Sequence, residues 1–277
     1  MNSAPMPQTS ADFGRGLARA FAGAIIFGLP LLMTMEMWWL GFSMEPWKLA
    51  LFLVVFFPFL VLLSWHAGFE PTFSWRDDVV DALVAYAVGF IASVLVLAMF
   101  GMLDPPVSFR DVAGKLALQA IPASIGALLA QSMLGAQRAG DDCERGGSGY
   151  LSELFVMSVG ALFLAFNLAP TEEMLLIALE LTDLRALAVI LASVAVMHAF
   201  VFGVAFHGQP GNPQEHPEWS LFLRFTVVGY AIACILSAYL LWSFGRLDGL
   251  SFMIGLKTVI VLGFPAALGA AAARLIL

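Results

Sequence analysis

The sequence predicts an all-α integral membrane protein, with about eight transmembrane helices arranged as two tandem, parallel four-helix repeats. Three observations predict this. The 277-residue chain is 61% hydrophobic and 12% charged, about half the charge of an ordinary soluble domain, so lipid is its main solvent. Apolar runs of about 20 residues, the length that crosses a hydrocarbon core, recur along the chain. The two halves also share short strings in the same order.

The first apolar run, Gly16–Leu40, follows a polar tail (residues 1–14). It is longer than a signal-peptide core and lacks a cleavage pattern, so it reads as a retained membrane helix. The next runs are Trp47–Trp65, Val79–Met102 and Val112–Leu134, separated by Ser43–Pro46, the Pro71-containing loop Glu70–Asp78, and Leu103–Arg110 with Pro105-Pro106. A Gly- and charge-rich linker, residues 135–149, divides the chain. Beyond it come Tyr150–Leu168 continuing to Leu181, then Leu184–Phe206, Trp219–Phe244 and Ser251–Leu277; the proline-rich stretch His207–Glu218 must be a loop. Helices are the default because hydrocarbon cannot satisfy open backbone groups.

Residues 15–134 and 150–277 read as the two repeats. Gly23-Ala24 aligns with Gly160-Ala161. At the same offset Thr34, Glu36 and Met37 meet Thr171, Glu173 and Met174, a shared T-x-E-M string. The F-G-x-L-D string Phe100–Asp104 matches Phe244–Asp248, Pro122–Ala127 matches Pro265–Ala270, and Lys115 falls near Lys257. An even number of helices per repeat brings both in from the same side of the membrane. Basic residues divide almost evenly between the two faces, so orientation is weakly marked; Arg15 and Arg19 beside the first helix favour a cytoplasmic N-terminus.

Lone polar residues in so apolar a chain are candidate functional groups. Glu36 and Glu173 lie late in the first and fifth helices, Asp104 and Asp248 end the third and seventh, and Lys115 and Lys257 open the fourth and eighth. A carboxylate inside a membrane costs about 3 kcal/mol on insertion scales and ordinarily faces a partner or a cavity. Carboxylate with hydroxyl oxygens, as supplied by Thr34 and Thr171, suits hard cations or protons. In the structural alternative Glu36 and Glu173 simply ion-pair with Lys115 and Lys257. Glu172 has no counterpart in the first half, Asn167 precedes Pro170 and can bond across a kink, and His198 is a lone imidazole in the sixth helix. Cys143 and Cys234 stand in unlike contexts, one in a polar loop and one mid-helix, and do not read as a disulfide or metal pair. The net charge of −7 leaves no basic footprint for nucleic acid.

The segments GLPLLMTMEMWWLGF and LAPTEEMLL resemble a family of bacterial integral membrane proteins carrying the domain of unknown function 2391. The resemblance covers most of the chain and implies a multi-pass protein of a bacterial inner membrane. The string LAPTEEMLLIAL also looks like the first motif of the CAAX-protease-like membrane family, whose Glu-Glu pair precedes an arginine. Here Ile177 stands near that position, and no Phe-x-x-x-His arrangement follows.

The expectation is a channel or carrier for a small cation or protons. Glu36, Glu173, Thr34, Thr171 and Glu172 form its pathway, and Asp104, Asp248, Lys115, Lys257, Asn167 and His198 its supporting network. A non-catalytic scaffold or sensor, and a Glu-dependent intramembrane hydrolase, are the alternatives. No cofactor is implied, the identity of any metal stays open, and the partners are the lipid bilayer, the transported cation or proton, and a second copy in a homo-oligomer.

Overall fold

In the computed structural model every regular element is helical among the described residues, which are 10–67, 75–104, 106–134, 150–205 and 218–276. The linker 135–149, the loops around Pro71 and 206–217, Cys143 and most of the polar tail lie outside them. Among the described residues eight helices are long and apolar enough to cross a membrane: Gly14–Leu32, Pro46–His66, Trp75–Met99, Phe109–Ala130, Tyr150–Leu168, Asp183–Phe200, Phe222–Ser243 and Phe252–Arg274.

The chain divides into two compact units. One comprises Met1–Met33 and Met37–Ala139, the other Thr34–Glu36 and Gly140–Leu277. In the first, α1 (Ser10–Leu32), α3 (Pro46–Ala67) and α4 (Trp75–Met99) all pack against α5 (Phe109–Leu134), and a short helix, α2 (Met35–Ser43), follows α1, its residues from Met37 on belonging to this unit. Helix α5 is the best-buried span of the protein. Its sequence explains this: Ala117, Ala120, Ala123, Ser124, Gly126, Ala127 and Ala130 are small enough to let neighbouring backbones approach. In the second unit α6 (Tyr150–Leu168), α8 (Asp183–Ala205) and α10 (Val228–Ser243) pack against α11 (Phe252–Ile276), and a short helix, α7 (Glu173–Glu180), follows α6. A one-turn helix, α9 (Glu218–Leu221), and a π-helical segment, Phe222–Val227, lead into α10.

Local features of the aligned strings have matching geometry. A Cβ on Gly23 would collide with the Gly126 carbonyl, and one on Gly160 with the Gly269 carbonyl. The first and last spans of each unit therefore cross backbone to backbone. Gly101 and Gly245 close α4 and α10 with φ of 69° and 71°, a left-handed conformation that a side chain would strain. The amides of Gly101 and Met102 return to Ala98 and Leu97, and those of Gly245 and Arg246 to Trp242 and Leu241. This is the two-bond helix stop that satisfies otherwise orphaned carbonyls.

Two boundaries differ from the sequence reading. Gly16–Leu40 and Tyr150–Leu181 are not continuous spans. The first breaks at Met33–Thr34 and the second over Ala169–Glu172. Pro170 contributes to the second break, since it cannot donate a bond to the preceding turn and restricts the residue before it. In the first unit, Leu32 and Met37 join Leu31, Val96 and Leu97 in a buried cluster that also takes up Trp38, and the corner forms over it.

Candidate functional site

The breaks expose backbone groups, and side chains satisfy them. At the first, Trp38 donates its indole N–H to the Leu32 carbonyl at 2.8 Å. At the second, Thr171 Oγ1 donates to the Leu168 carbonyl at 2.9 Å, while Asn167 Nδ2 donates one turn back within α6, to the Phe163 carbonyl at 2.8 Å, and not across the break. Arg246 Nη2 donates to the Pro170 carbonyl. Helix ends need such partners where lipid excludes water.

Both T-x-E-M strings lie at these breaks. Thr34 is half-buried in the bend between α1 and α2, and Glu36 is half-buried in the first turn of α2. Thr171 is half-buried between α6 and α7, Glu172 is exposed, and Glu173 is the exposed first residue of α7. Both glutamates therefore lie outside the eight spans, beyond Leu32 and Leu168, and not within a continuous helix as the hydropathy suggests. A carboxylate in a first helical turn is also favoured by the helix dipole.

The lysines do not take these glutamates as partners. Lys115 Nζ meets Asp111 Oδ2 at 3.0 Å, one turn earlier on its own helix. Lys257 Nζ meets Asp183 Oδ1 at 2.7 Å and donates to the Leu181 carbonyl at 2.7 Å. Glu172 pairs with Arg246 at 3.5 Å. Neither Glu36 nor Glu173 forms an ion pair with another described residue. Asp104 and Asp248 are exposed, each with Oδ2 close over the glycine of its helix stop. The second unit thus brings Thr171, Glu172 and Arg246 together at one corner.

His198 stands elsewhere. It is fifteen residues along α8 from Asp183, or about 22 Å at 1.5 Å per residue. Its Nδ1 lies 3.0 Å from Thr226 Oγ1 in the π-helical segment, and its ring meets Phe222 edge-on. Within the spans, Ser93, Ser124, Ser158, Ser193 and Thr258 all donate to carbonyls one turn back, which hides their hydroxyls from lipid. Among the described residues, no three His, Cys, Asp or Glu side chains are grouped to hold a metal ion.

Sequence reasoning missed Arg246, Asp111 and Asp183. Asp111 was readable from its one-turn spacing to Lys115. Arg246 fills the variable position of F-G-x-L-D, where the first half has Met102. That departure was the available signal.

A family described as "Putative integral membrane protein (DUF2391)" matches residues 16–277. The chain belongs to this family. No curated protein and no solved structure matches it. As a DUF2391 protein with eight apolar spans it is a multi-pass membrane protein, and both T-x-E-M strings fall inside the matched residues.

Proposed function

We propose that this DUF2391 protein transports a small cation or protons across a bacterial inner membrane, as a channel or carrier built from two tandem four-helix repeats. One observation carries the reading: twice along the chain a helix long enough to span a membrane ends at a break where a Thr-x-Glu string leads into a short helix. Discontinuous membrane helices recur at substrate and ion sites of transporters, because a break frees backbone and side-chain oxygens that a straight helix conceals. Glu36 and Glu173 are the charge-bearing groups, unpaired with any described cation. Thr34 and Thr171 supply neutral oxygens, and Glu172 is the extra carboxylate of the second repeat. The place of each beyond a span end suits a negatively charged group that collects cations.

The ion pairs of Lys115, Lys257 and Arg246 favour a second reading, a scaffold whose polar groups only fasten helices. Proteoliposome flux separates the two. The Glu36→Gln/Glu173→Gln double variant is expected to fold normally and to lose at least about tenfold of cation or proton flux, on the scale of losing a charge-assisted contact. Flux equal to wild type would overturn the carboxylate pathway and leave the scaffold.

A further inference from the structure

The two short helices are fastened by different physics. Helix α2 is held by packing: Met37 and Leu40 are 0% and 4% exposed. A Cβ on Gly41 would stand 2.6 Å from Lys115 Cγ, and a Cβ on Gly114 would collide with the Gly41 carbonyl. The backbones of α2 and α5 are therefore in direct contact, with the lysine stem laid over them. In α7 two of the aligned positions are also buried, Met174 at 8% and Ala178, in place of Gly41, at 1% exposed, and they pack on α11, but Ile177 in place of Leu40 is 46% exposed.

Cations hold α7 as well, one at each end. Before its first turn, Arg246 donates to the Pro170 carbonyl and pairs with Glu172. After its last turn, Lys257 donates to the Leu181 carbonyl and pairs with Asp183. The two basic side chains are 18% and 15% exposed, whereas their carboxylate partners are 72% and 83% exposed. Each latch is thus half in protein and half in water, where ions screen it.

We infer that α7 is a hinged flap closed by the Arg246 and Lys257 latches, while α2 is a fixed element. The flap carries Glu173 and, at its hinge, Thr171 and Glu172. Its opening uncovers the Pro170 and Leu181 carbonyls together with the carboxylates. This inference stands whether or not ions cross the protein, because its readout is backbone exchange and not flux.

Hydrogen exchange on the full chain in lipid nanodiscs tests it. Amides of Leu175–Glu180 are expected to exchange at least about tenfold faster than those of Met37–Phe42, and to speed up further as salt rises from about 0.05 M to about 0.5 M. Arg246→Met is expected to accelerate α7 about tenfold, with α2 unchanged. The charge swap Arg246→Glu/Glu172→Arg is expected to return α7 part of the way to wild type. If Arg246→Met loosens the whole bundle, the salt series on wild type decides alone. An α7 as protected as α2 at both salt concentrations would overturn the inference.

Discussion

Gln119 sits in the middle of α5, 3% exposed, with Nε2 donating to the Gly28 carbonyl at 2.6 Å. Its Oε1 is buried without a partner. A satisfied donor and an orphaned acceptor on one amide nearly offset each other, since each is worth about 1–2 kcal/mol. Gln119→Leu is therefore expected to change stability by less than about 1 kcal/mol in a detergent melt. Gly28→Ala is expected to cost more, because its Cβ would lie 2.5 Å from Nε2. Combining Gly28→Ala with Gln119→Ala should recover most of that loss, as the other neighbour, Ala123 Cβ, stands at 3.6 Å. Failure of the double variant to recover would show that the crowding lies elsewhere. At the helix crossings no such relief exists. Gly160→Ala drives a methyl into the Gly269 carbonyl and the Ala273 methyl, and a cost of about 1–3 kcal/mol is expected from overpacking, read as a lowered melting temperature.

At the scale of elements, the break before α7 and the corner before α2 decide where the candidate site sits. Pro170→Ala restores an N–H that can donate to the preceding turn, so α6 is expected to run on toward α7. Slower exchange at Thr171–Met174 would report this; unchanged exchange would assign the break to Arg246 and not to the proline. The strings T-x-E-M and F-G-x-L-D were legible because polar residues stand out in an apolar chain and glycine marks a helix stop. The breaks were not, because hydropathy stays high across MTMEMWWL. Proline does not discriminate either: Pro30, Pro58, Pro122 and Pro265 all lie inside unbroken helices. What separates Pro170 is the set of side chains from other parts of the fold, Arg246 above all, that accept the cost of an open turn. Tertiary contacts of that kind leave no local pattern. The lysine partners divide in the same way, with Asp111 readable from helical spacing and Asp183 only from the fold.

At the scale of the whole molecule, the spans fix a topology that each unit can be tested for separately. Each holds four described helices long and apolar enough to cross, so each is expected to begin and end on one face. In a background lacking Cys143 and Cys234, Gly14→Cys and Asp104→Cys are expected to react with an impermeant thiol reagent from opposite faces, and so are Leu151→Cys and Ser251→Cys. Same-face labelling within either pair would break the span assignment. The crossings of Gly23 with Gly126 and of Gly160 with Gly269 also bear on biosynthesis. In each unit this backbone-to-backbone crossing joins the first span made to the last. Loop closure over so many residues is entropically costly and has to wait until the fourth span leaves the translocation machinery. Until then the three earlier spans lack their central partner, and their small-residue faces are open to lipid or to the wrong helix. A nascent chain arrested after α4 or after α10 should therefore be protease-sensitive, and release of α5 or α11 should protect it in a single step.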